Sequence, residues 1–247
     1  MSNASNAGQR TNGHPPGSGA EAPEGTLIAV VLDRSGSMGS CREATIAGFN
    51  QFLQTQQRDA AGGRALMSLT QFDDRYEINF VGEPIENVPE LDAQSYVPRD
   101  RTALHDAIGR TIHEAEAWVR EHDWHDRVLV LIITDGQENA SREYDLHVVR
   151  ALIERKERDG WNFAYMGANQ DSFAVGGAMG VRADFTQDYA ATAAGVRGTF
   201  GDLAEKTRMY RLAKEKGLAA AAFFDAPKRK GAEPRAEPAP GRLAPKK

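Results

Sequence analysis

Thr26-Leu27-Ile28-Ala29-Val30-Val31-Leu32-Asp33-Arg34-Ser35-Gly36-Ser37-Met38 is the stretch that decides how this chain is read. The apolar residues 27–32 run without interruption into Asp-x-Ser-x-Ser. A short, wholly apolar run closed by a turn signal reads as a strand buried on both faces. Its end delivers one carboxylate and two hydroxyls, spaced two apart, to a single loop. That is a hard-oxygen donor set for a small divalent cation, with no thiolate or imidazole beside it to make a zinc site.

Outward from this run, strand-like and helix-like segments alternate. Ile46, Phe49 and Leu53 form a helical stripe directly after it. Residues 65–72 read as a strand. Residues 77–81 read as another, after Asp73-Asp74-Arg75, a connection short enough for a hairpin, so this strand is predicted antiparallel and at an edge. Leu104, Ile108, Ile112, Ala115 and Val119 recur at helical spacing, and residues 128–133 are a second wholly apolar strand. Leu146, Val149, Leu152 and Ile153 mark a helix with Gly160 at its C′ position. Residues 161–166 alternate as a strand, 173–179 suggest a short helix and 183–186 a short last strand. Val196, Phe200, Leu203, Thr207 and Tyr210 outline a long closing helix. Such alternation, with strands buried on both faces, predicts an α/β fold with a mostly parallel six-stranded sheet covered by helices. Ligands of such sheets bind outside the carboxyl ends of the strands, at the topological switch point.

The composition allows this. A chain of 247 residues with 40% hydrophobic content can bury the core of one α/β domain or two small ones. The expected organisation is a disordered tail over 1–24, one domain over 25–224 and a disordered basic tail over 225–247, because both ends are polar and lack periodicity. The start has no apolar run after basic residues, so no secretory signal is expected. The longest apolar runs are too short to span a bilayer. Cys41 is the only cysteine, which excludes an internal disulfide and suits a cytoplasmic setting. The segment 228–247 holds seven basic and two acidic residues, a charge of +5 that leaves −10 on the rest of a chain whose total is −5. An acidic body disfavours a nucleic-acid-binding face, and the tail reads as a solvated Pro/Ala/Lys-rich segment.

The two apolar strands end alike, one on Asp33 and the other on Thr134-Asp135-Gly136. If they are neighbours, two carboxylates meet at one crevice. The loop Pro98-Arg99-Asp100-Arg101-Thr102-Ala103-Leu104 opens the helix leading to the second strand, with Thr102 at or near its N-cap and its hydroxyl free to coordinate. Mg²⁺ takes near-octahedral oxygen geometry at about 2.1 Å and sheds its waters reluctantly. Neutral hydroxyls with only two carboxylates leave such an ion residual positive charge, which invites a carboxylate from outside. Mg²⁺ is the expected ion, with Mn²⁺ or Ca²⁺ as alternatives.

In these residues the chain resembles the von Willebrand factor A domain family. That family carries a metal-ion-dependent adhesion site made of Asp-x-Ser-x-Ser, a Thr on a second loop and an Asp on a third. The matching residues are Asp33, Ser35 and Ser37, then Thr102, then Asp135. The resemblance covers about residues 24–217. It implies a Rossmann-like, doubly wound fold with one antiparallel edge strand and a Mg²⁺-dependent protein-binding role. It also implies direct ligation by Ser35, Ser37 and Thr102, with Asp135 often acting through water. Many members have Gly shortly before the Thr, where this chain has Arg99, Asp100 and Arg101. Those arginines either select an acidic partner or pair with Asp100 and its neighbours. The segment Tyr165-Met166-Gly167-Ala168-Asn169-Gln170-Asp171 is similar to stand-alone bacterial and phage-encoded members.

Rival readings are weaker. Asp33, Ser35 and Ser37 alone could make only Asx- and Ser-type turns. A Mg²⁺-dependent phosphate-ester hydrolase using Asp33 is the alternative function, but its second Asp is replaced by Ser35. A serine hydrolase lacks the first Gly of Gly-x-Ser-x-Gly, and a histidine base would have to be His105 or His113. His122-Asp123-Trp124-His125-Asp126 looks like a metal cluster but falls at the far end of the sheet, where histidines suit a helix C-terminus. Gly176-Gly177-Ala178-Met179-Gly180 lacks dinucleotide-binding spacing. Cys41 reads as a packing residue rather than a redox sensor. The sequence thus predicts a non-catalytic module whose metal recruits an Asp or Glu of a protein partner.

Overall fold

In the computed structural model, which describes residues 25–168, 171–213 and 223, the opening run forms β1 (Thr26–Asp33), and every one of its residues is buried. A 3₁₀ turn (Gly36–Cys41) leads into α1 (Arg42–Arg58). The chain continues through β2 (Ala65–Phe72), β3 (Tyr76–Pro84), α2 (Leu104–Glu121), β4 (Arg127–Thr134) and α3 (Leu146–Arg158). It ends with β5 (Asn162–Ala168), α4 (Ser172–Ala178), β6 (Thr186–Tyr189) and α5 (Ala193–Leu212).

The six strands lie in the order β3-β2-β1-β4-β5-β6. All neighbours are parallel except β2 and β3. This is the doubly wound α/β sheet with one antiparallel edge strand expected from the sequence. The hairpin forms because Asp73 closes the turn: its N–H donates to Arg75 O at 3.0 Å, and its carboxylate accepts the Arg75 N–H at 2.7 Å. The exposed-edge strand β3 is bulged against β2, which twists its free edge.

β1, β2 and β4 are buried at every position, the signature of strands covered on both faces. α1 packs with α5, and α2 with α3. Right-handed crossovers put these pairs on opposite faces of the sheet. α2 contributes Leu104, Ile108, Ile112 and Ala115, all fully or nearly buried, as its periodicity predicts. Each such side chain is worth about 1.5–3 kcal/mol of burial for the larger residues.

Several boundaries differ from the sequence reading: β3, read as 77–81, runs from Tyr76 to Pro84, and the short helix read as 173–179 is Ser172–Ala178. Trp161 precedes β5, which runs from Asn162 to Ala168. Residues 183–185 form a 3₁₀ turn and the last strand starts at Thr186, because Thr186 is the first residue to pair with β5, opposite Tyr165. The two tails expected over 1–24 and 225–247 lie outside the described residues. Among the described residues no helix is long and apolar enough to cross a membrane.

Candidate metal centre

The strand order reverses between β1 and β4, which run side by side with Leu32 opposite Ile133. Asp33 and Thr134 therefore end at the same level, and the crevice predicted by sheet topology opens above them. The Asp33 carboxylate is fully buried. Its Oδ1 accepts the Ser35 N–H at 2.6 Å and its Oδ2 the Thr134 hydroxyl at 2.5 Å. Its main-chain carbonyl accepts the buried Tyr96 hydroxyl at 2.7 Å. Ser35 Oγ lies 3.0 Å from Ser37 Oγ, and Ser37 donates to Asp135 Oδ1 at 2.5 Å. Ser35 and Asp135 are buried, whereas Ser37 is exposed at the mouth.

Thr102 joins them through a close approach that only glycine permits. A Cβ on Gly136 would stand 2.5 Å from Thr102 Oγ1 and 3.3 Å from Asp33 Oδ2. The bare Gly136 backbone is what lets the second loop close on the other two. Asp33, Ser35, Ser37, Thr102 and Asp135, predicted from three separate loops, thus meet in one crevice. Thr102 lies one residue before the N-cap of α2, which is Ala103. Its hydroxyl makes no cap bond, because the first-turn N–H groups of α2 are taken by the third loop: His105 N–H donates to Glu138 Oε2 at 2.9 Å and Asp106 N–H to Ser141 Oγ at 3.0 Å.

The electrostatics single out Asp33. Burial pushes its carboxyl up to about 6, against the hydrogen bonds of Thr134 and Ser35, with the Asp135 charge adding to the rise. Burial raises Asp135 as well. Among the described residues neither carboxylate has an ion pair with a basic side chain. A buried carboxylate without such a partner is neutralised by a proton or by a bound cation. Burial and the nearby Asp33 charge hold the Tyr96 phenol well above its usual value, so it stays a donor.

The donor set tests which ion fits. No group of three or more His, Cys, Asp and Glu side chains is placed to hold a metal among the described residues. A cation in this crevice would rest on two carboxylates, three hydroxyls and water. That is a hard, weakly charged oxygen site, suited to Mg²⁺ or Mn²⁺ and poor in the soft ligands that favour zinc.

Several supporting residues were not singled out from the sequence. Asp73, fully buried, accepts Arg34 Nε at 3.1 Å and Arg99 Nε at 2.6 Å. Arg34 also reaches Glu77 of β3, at 2.7 Å. Two of the three loops are thereby clamped to the β2–β3 turn, and Arg34, although next to Asp33, turns away from it. Asp106 accepts the N–H groups of Arg142, Glu143 and Tyr144, each at 2.9 Å, and so anchors the third loop. The Glu138 carboxylate accepts Ala140 N–H and the Ser141 N–H and hydroxyl. Asp-Asp-Arg turns and polar loops are common, so their sequence carried no signal of these long-range partners.

Of the two open readings for the arginines before Thr102, Arg99 takes the structural one, with Asp73 rather than Asp100 as its partner. His105 Nδ1 lies 3.8 Å from Glu138 of the third loop, and His113 Nδ1 lies 3.8 Å from Glu116, one turn further along α2 itself. His122 is the C-cap of α2, stacked on Trp118, and His125 pairs with Asp123 in solvent. Cys41 is buried.

No protein-family model matches the chain, and no curated protein does. Solved structures do. The pilus adhesin SpaC from Lactobacillus rhamnosus GG, in its open conformation, aligns with a TM-score of 0.59 at 15% identity, over 76% of this chain and 30% of the adhesin. Proximal thread matrix protein 1 from the mussel byssus aligns at 0.51 and 14% identity, over 75% of this chain and 46% of that protein. Its form with a zinc-occupied MIDAS motif aligns at 0.53 and 14% identity, covering 76% and 46%. The chain therefore spans less than half of either neighbour. At these identities the likeness shows the fold alone.

Proposed function

We propose that this protein is a divalent-metal-dependent protein-binding module. Asp33, Ser35, Ser37, Thr102 and Asp135 hold the ion, Mg²⁺ in the first instance, and an Asp or Glu of a protein partner completes its coordination. The observation that carries this reading is the approach of Thr102 Oγ1 and Asp33 Oδ2 to the same bare Gly136 backbone, with Asp135 and Ser37 hydrogen-bonded beside them. Three loops converge oxygen donors on a buried carboxylate that has no basic partner among the described residues. The exposure of Ser37 leaves the mouth open to a ligand from outside. The metal-occupied motif of the byssus protein and the adhesive role of the pilus protein support the reading as analogies from proteins of like fold.

The first measurement is calorimetric titration of Mg²⁺, Mn²⁺ and Zn²⁺ into the wild type and an Asp33→Ala, Asp135→Ala double variant. Binding in the wild type and at least a hundredfold loss in the variant is expected; equal affinity in both sinks the assignment. Phosphate-ester turnover that requires metal and disappears in Asp33→Ala would instead favour a hydrolase.

A further inference from the structure

We infer that Arg101 is a second carboxylate receptor beside the metal, so that the partner is an acidic segment bearing two acidic residues two positions apart. This rests on the metal reading above. The two arginines of the second loop are used differently. Arg99 is pinned inward on buried Asp73. Asp100 then adopts a left-handed backbone, φ 57°, which few non-glycine residues hold without support. The support is visible: Gly36 N–H donates to Asp100 O at 3.0 Å, and Arg99 N–H donates to Arg34 O at 2.8 Å. Beyond the reversal, Thr102 N–H donates to Asn139 Oδ1 at 3.1 Å and Ala103 N–H to Asp73 O at 2.8 Å.

Arg101 is therefore an exposed arginine on a backbone fixed on both sides, and among the described residues its guanidinium has no ion pair. It directly precedes the Thr102 donor. The charges around it are Asp100, exposed on the same loop, Glu138, whose carboxylate is consumed by the third loop, and Arg142, exposed on that loop. A guanidinium on a fixed backbone can receive a carboxylate in a two-pronged bond with no rearrangement of the loop, although its side chain must still be ordered. Two extended residues span about 7 Å, so an acidic-x-acidic segment can bring a second carboxylate past the metal donors to the position next to Thr102. An acidic-x-acidic segment matches both receptors at once.

The test uses three immobilised synthetic peptides that differ only in Glu-Ser-Glu, Glu-Ser-Gln and Gln-Ser-Gln, with the full chain injected in saturating Mg²⁺ and again in chelator. The expected result is Mg²⁺-dependent binding, about fivefold tighter for Glu-Ser-Glu than for Glu-Ser-Gln, the scale of one exposed charge pair. Arg101→Ala should erase that ratio, and Arg101→Lys should restore only part of it. Calorimetry of Mg²⁺ on Arg101→Ala separates the two ideas. Equal binding of the one-acid and two-acid peptides, a ratio unchanged in Arg101→Ala, or no peptide binding by a protein that binds Mg²⁺, overturns the inference alone. No Mg²⁺ binding by the wild type overturns the metal reading and this with it.

Discussion

Asp33 is a buried carboxylate whose charge costs the fold stability. Its carboxyl is buried and its pKa is raised from 3.8 to about 6. In the metal-free protein the folded state therefore holds a proton that the unfolded state has already lost, and stability falls as pH rises from about 4 through about 6. The shift corresponds to roughly 3 kcal/mol at neutral pH. Asp33→Asn keeps the shape without the charge. It is expected to stabilise the metal-free protein by about 1–3 kcal/mol at pH 7.5, with little effect at pH 4, while abolishing Mg²⁺ binding; urea unfolding with and without Mg²⁺ at the two pH values checks this. Gly136→Ala makes the opposite point. Its methyl meets Thr102 Oγ1 at 2.5 Å, so the second loop must retreat. At least a tenfold loss of Mg²⁺ affinity with about 1–3 kcal/mol of destabilisation is expected from calorimetry and unfolding.

At the scale of elements, the candidate crevice is held by two buried acids that do not line it. Asp73 links the first two loops to the β2–β3 turn through Arg34 and Arg99. Asp106 ties the third loop to α2 through three main-chain N–H groups. Removing the Asp73 charge leaves Arg34, which is buried, and Arg99 to share the half-exposed Glu77. Asp73→Asn is expected to cost about 3 kcal/mol and to lower Mg²⁺ affinity through loop disorder, seen as a lowered Tm and faster amide exchange over residues 98–103. α2 and the third loop also meet where Gly109 faces Tyr144: a Cβ there would stand 2.4 Å from the ring. Gly109→Ala should displace Tyr144 and lower Tm despite the better helix propensity of alanine.

For the whole molecule, the sheet supplies a rigid floor on which three loops present oxygen donors, so an ion that binds only the assembled floor stabilises the fold by mass action. At a hundred times its dissociation constant the gain is about 2.7 kcal/mol. Mg²⁺ is expected to raise Tm by several degrees at pH 7.5, reversibly on chelation, and by much less at pH 5, where Asp33 carries its proton; differential scanning calorimetry at the two pH values reads the difference.

Periodicity and chain order carried the sheet and the five oxygen donors. Wholly apolar strands such as β1 and β4 can only be central, hairpin length forces β3 to be antiparallel, and strand ends in a doubly wound sheet converge on one switch point. Those constraints are local or topological, so the sequence by itself determined the architecture and brought Asp33, Ser35, Ser37, Thr102 and Asp135 forward as candidate ligands. The tertiary structure alone decided which charges are free. Arg34, Arg99 and Arg101 look alike in the sequence, yet two of them reach Asp73, 39 and 26 residues distant, and the third pairs with no acid among the described residues. Whether a polar side chain is spent inside the protein or remains available to a ligand depends on contacts distant in sequence, and those exist only once the loops are folded together.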